Sequence, residues 1–132
     1  MHYLLDANAC IDVMRGHPSV LARFDAVSPA DCAISTITSF ELLTGVQKCL
    51  RPTRETAKVQ RLLGQVAVLA FDPAAAAEAA EVRAQLEMEG CVIGPYDTLI
   101  AGHARATGLI LVSNNVREFS RVARLPLENW RL

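Results

Sequence analysis

Short apolar runs alternate with stretches of mixed polarity along the whole chain. Five runs are brief and continuous, as in strands buried on both faces of a parallel sheet: HYLLD, DCAIS, QVAVLAF, LILVS and PLENW. Between them, apolar positions recur with helical spacing. This alternation predicts an α/β fold, with helices on both faces of a mainly parallel sheet of about five strands.

Cap and turn residues suggest where the helices begin. Thr38 is a plausible cap for a helix starting near Ser39, because Glu41 follows at the capping-box spacing. Pro52 then breaks the chain, and Thr53 can cap the next helix. The helix after the first strand is predicted to turn Ile11 and Met14 inward, and the segment 115–119 is predicted as a turn or short helix.

Three acids stand in separate segments, each near a junction between elements. Asp6 ends the first strand in YLLDANACID, Glu41 lies in ISTITSFELLTG, and Asp97 lies in GPYDTLIAGHA. An unpaired charge in such apolar surroundings is costly. Ligands of parallel α/β sheets bind beyond the carboxyl ends of the strands, so we expect the acids to converge there. Carboxylates without neighbouring histidines favour Mg²⁺ or Mn²⁺, ions that usually serve phosphate chemistry.

Each acid also has a purely structural interpretation. Asp6 can cap the helix that follows it. Glu41 can complete a capping box by accepting from the amide of Thr38. Asp97 stands early in a helix, where the helix dipole stabilises a negative charge. The residues alone leave both interpretations open.

Several other polar residues are candidates for supporting roles. Asn8, Ser113 and Asn114 can orient the acids or bind phosphate, although ordinary turn and cap chemistry also accounts for them. Asp12, Asp72 and Glu118 are interpreted as surface charges, since charges on helices are mostly solvated. Glu118 is the one of these that could reach towards the three acids.

Basic and apolar surfaces are ambiguous in the same way. Two basic sets could follow an RNA backbone or pair with local acids: Arg54, Lys58 and Arg61, and Arg117, Arg121 and Arg124. Arg117 and Arg121 are the candidates nearest the expected site. Phe40, Leu43 and Val46 belong either to the core or to a face for a protein partner or second copy. Trp130 is predicted to pack the last strand.

Composition limits the class of protein. The chain has 132 residues, 52% hydrophobic and 20% charged, with a net charge of −1, which fits one globular domain without a general affinity for nucleic acid. No run is long enough to cross a membrane, and no signal peptide is recognisable. The four cysteines form no CxxC pair and are predicted to be free, mostly buried thiols of a cytoplasmic protein: Cys10, Cys32, Cys49 and Cys91.

These motifs together resemble the PIN domain, and more closely the VapC ribonuclease toxins of bacterial toxin–antitoxin pairs. The resemblance rests on the three acid-bearing segments, followed by LILVSNNVREFSRV and LENW. The segments stand in the family's order and span essentially the whole chain. The resemblance implies a single PIN domain over residues 1–132, a three-layer α/β/α sandwich.

The resemblance also implies a function. We expect the toxin of a type II toxin–antitoxin system, an endoribonuclease that cleaves RNA, possibly tRNA, by attack of metal-activated water on a phosphodiester. The implied metal is Mg²⁺, with Mn²⁺ as an alternative, held by Asp6, Glu41 and Asp97. Asn115 occupies the position of a fourth acid in many PIN domains, which predicts weaker binding of a second metal. Expected partners are a cognate VapB-like antitoxin, RNA and a second copy in a homodimer, with further assembly in the antitoxin complex.

Three other functions are compatible with parts of this pattern. A metal-dependent DNA nuclease shares the fold and acids, but usually has an added helical arch for which this chain is too short. A catalytically weakened PIN domain could act only through partner binding, and Asn115 is compatible with that. A receiver-like domain also clusters acids, but LILVSN offers no matching lysine.

Overall fold

Five short parallel strands form the sheet of the computed structural model, which describes residues 1–132. The strands are β1 (Tyr3–Leu5), β2 (Cys32–Ser35), β3 (Ala67–Leu69), β4 (Ile110–Val112) and β5 (Leu127–Glu128). Their order in the sheet is β3-β2-β1-β4-β5, and every neighbouring pair is parallel. The predicted parallel sheet is confirmed, and β1 lies at its centre.

Seven α-helices connect and cover the strands. They are α1 (Ala7–Arg15), α2 (Pro18–Val27), α3 (Thr36–Lys48), α4 (Pro52–Gln65), α5 (Pro73–Met88), α6 (Pro95–Thr107) and α7 (Val116–Phe119), and a 3₁₀ turn covers Pro29–Asp31. The short helix expected in 115–119 is therefore present. No helix is both long and apolar enough to cross a membrane.

Two hydrophobic cores lie on opposite faces of the sheet. One contains Leu5 with buried side chains of α1 to α4, and the other contains Leu4 with those of α5 and α6. Neighbouring residues of β1 therefore point into different cores, as strand geometry requires. This is the predicted three-layer sandwich. Trp130 is buried in the first core and packs edge-on against Tyr3 at a centroid distance of 5.3 Å, which confirms its predicted packing role.

Two predicted caps are wrong. Helix α3 begins at Thr36, and its cap is Ser35, whose hydroxyl accepts from Ile37 N at 3.1 Å. The helix follows β2 without a connecting residue, so Thr38 lies inside it and is buried. Helix α4 begins at Pro52 and has no side-chain cap, so Thr53 does not cap it.

Asp12 is not the surface charge that its helical position suggested. It is buried, and its carboxylate accepts two hydrogen bonds from Arg131, from Nε at 2.7 Å and from Nη2 at 2.8 Å. These bonds hold the pKa of Asp12 below its usual value. The partner lies at the other end of the chain, which is why helical periodicity could not reveal the pair.

The remaining apolar predictions divide between core and surface. Val46 is buried, whereas Phe40 and Leu43 are 49% and 41% exposed. Ile11 and Met14 pack against the first core only partly. All four cysteines are free, but only Cys10 and Cys32 are fully buried; Cys49 and Cys91 are half-buried.

Candidate active site

Asp6 lies where the central strand ends. It caps α1, and its Oδ1 accepts from Ala9 N at 2.8 Å. Its side chain is almost fully buried and lies near the side chain of Ser113, which follows β4. Burial raises the pKa of Asp6, and Ser113 and the Ala9 N–H oppose the rise. Asp6 therefore has the structural role foreseen for it, and one carboxylate oxygen remains outside the cap interaction.

Glu41 lies two turns into α3, six residues after the Ser35 cap. Because the helix starts at Thr36, a capping box with Thr38 does not exist, and the structural explanation of Glu41 disappears. The side chain is half-buried, and its pKa is raised by burial and by the charge of Asp6. A carboxylate mid-helix beside another carboxylate has no structural purpose that we can identify.

Asp97 lies in the first turn of α6, two residues after Pro95, where the helix begins. The pKa of its carboxyl is raised to about 7, first by burial, then by a hydrogen bond with Glu118 and by the charge of Asp6. The charge of Asp6 thus acts on both Glu41 and Asp97, and the charge of Glu41 acts on Asp97, so the three carboxylates lie close enough to raise one another's pKa values.

Glu118 on α7 is the fourth carboxylate of the cluster. Asn115 Nδ2 donates to Asp97 Oδ2 at 3.2 Å and to Glu118 Oε2 at 2.9 Å, and so joins the two acids. This amide and other donors, including Gly94 N–H, keep the pKa of Glu118 below its usual value. The surface interpretation of Glu118 is wrong, and Asn115 lies in the cluster as expected. The available sequence signal was the three-residue spacing of Asn115 and Glu118, one helical turn.

None of these four acids forms an ion pair with a lysine, arginine or histidine. In this conformation, no three Asp, Glu, His or Cys side chains form a group that could hold a metal ion. The oxygen donors of these acids nevertheless have the chemistry that Mg²⁺ prefers.

A buried hydroxyl near Glu41 also suits a bound, hydrated divalent cation. Thr38 Oγ1 is the one buried side-chain polar atom without a hydrogen-bond partner. It lies one helical turn before Glu41, on the same side of α3. Buried polar atoms are rarely left unpaired, and the hydration shell of a bound divalent cation would supply the missing partner. The residues present therefore fit a hydrated Mg²⁺ ion.

Of the three predicted supporting residues, Ser113 lies among the acids, whereas Asn114 and Asn8 form no hydrogen bond with them. Ser113 is buried and accepts from Asn115 N at 2.9 Å, so it connects Asp6 to the Asn115 loop. Asn114 is half-buried and lines a small cavity on the side of the chain terminus, and Asn8 is exposed on the first turn of α1. Neither forms a side-chain hydrogen bond with an acid of the cluster.

The basic residues surround this region rather than enter it. Arg117 is exposed, and Arg121 donates to the carbonyl of Val92 at 3.3 Å while its charge acts on Glu118. Arg124 is paired with Glu81 on α5 and is therefore less available to another anion.

An open groove is lined by Glu41 at one point. It has a volume of about 500 Å³ and runs between α1, α3 and the start of α4. Its apolar lining consists of Ile11, Met14, Leu42, Val46, Cys49 and Leu50. Arg15, Arg51 and Lys58 lie along it, so the groove combines an apolar floor with cationic side chains.

Known proteins resemble the chain over nearly its full length. The PIN domain family profile matches residues 3–125. The tRNA(fMet)-specific endonuclease VapC of Shigella flexneri is 41% identical over 131 residues, which cover 98% of each chain. Ribonuclease VapC2 of Haemophilus influenzae is also 41% identical with the same coverage. DNA-bound VapBC from Salmonella typhimurium contains a chain with a TM-score of 0.93, 38% identity and 98% coverage of both chains. The chain therefore belongs to the PIN-domain family and, within it, to the VapC ribonuclease toxins.

Proposed function

We propose that this chain is an Mg²⁺-dependent endoribonuclease with tRNA as its substrate class, and the toxin of a VapBC-type pair. One observation carries the proposal: Asp6, Glu41 and Asp97 come from three separate elements, have raised pKa values and lack a cationic partner. Such an arrangement costs stability, so a functional reason is expected. The names of the relatives in Shigella and Haemophilus support RNA as the substrate.

Asp6, Glu41 and Asp97 would hold the ion, and Glu118 lies beside Asp97. A bound Mg²⁺ supplies positive charge that makes water a better nucleophile and stabilises negative charge at a phosphate. The protein's part is to fix the carboxylates. Ala9 N–H and Ser113 hold Asp6, and the Asn115 amide holds Asp97 Oδ2 beside Glu118 Oε2.

Without a cation, Asp97 is protonated in part of the molecules near neutral pH, because its pKa is about 7. A cation held there would favour its ionised form, as coordinating carboxylates require. Arg117 and Arg121 would bind RNA phosphates beside the acids, with Arg117 the more available of the two. No histidine lies in the cluster, so its carboxylates are the groups able to accept a proton there, and Asp97 has a pKa of about 7.

The first experiment is incubation of the purified protein, free of antitoxin, with a total tRNA pool in Mg²⁺ or EDTA. We expect discrete products with Mg²⁺ alone and none with Asp97→Asn. The matched control is Asp25→Asn, the same chemical change at an exposed acid on α2. Cleavage that persists in EDTA or in Asp97→Asn would refute the metal-dependent mechanism.

Single-stranded DNA of the same sequence separates this function from its rivals. Cutting of DNA and RNA at equal rates would favour a general metal-dependent nuclease. Absence of cutting by a folded protein in Mg²⁺ and Mn²⁺ would favour a weakened PIN domain that acts through partner binding.

The groove next to Glu41 is our proposed site for the antitoxin. Its apolar floor suits the apolar face of a partner segment, and it ends beside an acid of the active site, so an occupant would obstruct the acids. Gly45 lines the groove with open space around it, and Gly64 on α4 is equally open but lies outside the groove. Gly45→Leu should therefore abolish capture of the co-expressed antitoxin, whereas Gly64→Leu should retain it.

We further propose that residues 1–132 form one cytoplasmic PIN domain that dimerises through the exposed Phe40–Tyr96 pair. These rings lie 5.6 Å apart, and Leu43 extends the patch along α3. Exposed apolar patches mark protein contacts. Leu43→Glu should convert dimers to monomers in analytical ultracentrifugation, whereas Met88→Glu, on an exposed site of α5, should not. If both variants remain dimeric, the Phe40–Tyr96 face is not the dimer interface.

A further inference from the structure

A buried histidine connects the helices that carry Glu41 and Asp97. His103 lies in α6, six residues after Asp97, and is 1% exposed. Its Nδ1 lies 2.8 Å from Ser35 Oγ. Ser35 is the cap of α3, six residues before Glu41. One buried hydrogen bond thus joins the start of the Glu41 helix to the middle of the Asp97 helix.

The surroundings of His103 fix both partners of this bond. Ser35 Oγ also accepts from Ile37 N, so the same hydroxyl group serves the α3 cap and the imidazole of His103. The edge-on ring of Phe71 lies 5.5 Å from the imidazole at an interplanar angle of 89°. Phe71 N in turn donates to Thr36 Oγ1 at 3.1 Å, so the same residues also hold the first turn of α3.

The residue before His103, Gly102, packs α6 against α5. A Cβ on Gly102 would lie 2.4 Å from the Cα of Ala79, so the backbones of α5 and α6 are in direct contact there. Helix α6 therefore rests on α5 through Gly102 and is tied to the α3 cap through His103. With both contacts formed, α6 has little freedom to slide relative to α3.

We infer that His103 is a positioning residue that sets the separation of Glu41 and Asp97 by tying α6 to the cap of α3. The inference rests on the proposed function, since it assigns a purpose to that separation. His103 forms no hydrogen bond or ion pair with either acid. It acts through the two helices, and partners that orient metal ligands typically affect metal affinity by about 10- to 100-fold.

The test compares His103→Phe with His103→Asn and with a control for lost stability. Phe retains an aromatic ring but has no nitrogen to form a hydrogen bond with Ser35 Oγ. The Asn side chain can place an amide atom near the position of Nδ1. Val59→Ala is the control, because it truncates a buried side chain of α4, a helix that carries none of the acids. Each variant is titrated with Mn²⁺ by isothermal calorimetry without RNA, and is then assayed for RNA cleavage.

We expect His103→Phe to weaken Mn²⁺ binding at least about tenfold and to slow cleavage to a similar extent. His103→Asn should restore most of both, and Val59→Ala should bind Mn²⁺ like the wild type. Equal Mn²⁺ affinity in His103→Phe and Val59→Ala, or no recovery in His103→Asn, would overturn the inference.

Two further results keep the test decisive. If His103→Phe does not fold, Ser35→Ala and Ser35→Thr replace the pair, since only Thr retains the hydroxyl; equal Mn²⁺ affinities in these two would overturn the inference. If the wild type and the variants rank in Mn²⁺ affinity as expected but the wild type cleaves no RNA, the proposed function fails and the positioning role stands. If the wild type binds no Mn²⁺, both fail.

Discussion

Asp97→Asn should make the metal-free protein more stable at pH 8 while it abolishes cleavage. The pKa of Asp97 is raised from 3.8 to about 7 in the folded state, through burial, the bond with Glu118 and the charge of Asp6. At pH 8 the folded protein must therefore carry an ionised carboxylate that its surroundings disfavour. An uncharged amide of nearly the same shape removes this cost.

The sign of the pH dependence follows from proton binding. Between pH 3.8 and about 7, the folded state binds the Asp97 proton more tightly than the unfolded state does. The free energy of unfolding therefore falls as the pH rises through this window, and the full cost is present above it. Such a difference in pKa is worth at most about 4 kcal/mol. Asp97 is only half-buried and solvent screens part of the repulsion, so we expect about 2 kcal/mol.

Urea unfolding in EDTA at pH 8 and at pH 4 measures this difference. Asp97→Asn should exceed the wild type by about 2 kcal/mol at pH 8 and differ little at pH 4, where Asp97 is neutral in the folded protein. Asp25→Asn, at an exposed acid, should change stability at neither pH. Equal or lower stability of Asp97→Asn at pH 8 would refute the claim that repulsion in the cluster costs folding energy.

The remaining predictions concern the ion, the helix contact and the terminal ion pair. Mg²⁺ at about 100 times its dissociation constant should stabilise the wild type by about 2.7 kcal/mol at pH 8, and Asp97→Asn much less, as read from urea midpoints. Gly102→Ala should destabilise the fold by about 3 kcal/mol because its Cβ meets the Ala79 backbone, whereas Gly64→Ala, in open helix surroundings, should not. Arg131→Ala should lower the thermal midpoint at pH 7 but not at pH 2, because it leaves Asp12 buried and unpaired only while Asp12 is ionised.

The sequence was sufficient to predict the sheet and to single out the three candidate acids for a physical reason. Strands buried on both faces are continuous apolar runs, and a charge at the end of such a run is conspicuous. Asp6 follows β1 in this way, and Asp97 follows a Gly-Pro turn that starts a helix. The positions of Asp6 and Asp97 relative to their own elements were thus local properties, which local patterns can reveal.

The errors concern contacts between distant segments. Asp12 looked solvated because its partner Arg131 is 119 residues away in the sequence. Thr38 looked like a cap because serine and threonine occur four times in Ser35–Ser39, and nothing local shows that β2 ends at Ser35. Pairing across the fold and the end of a buried strand are decided by tertiary packing, which overrides local propensity.

Glu118 shows how the same limit applies to the site itself. Its helix α7 has four residues, too few for a periodic pattern, and the side chain reaches the cluster only because Asn115 holds it beside Asp97. Asn115 therefore does more than replace an acid, since its amide keeps two carboxylates together that would otherwise repel each other. Loss of that amide should then loosen the contact between Glu118 and Asp97 and reduce the part of the pKa rise of Asp97 that Glu118 causes. Asn115 therefore maintains part of the cost that Asp97→Asn is expected to remove, while burial of Asp97 supplies the largest part.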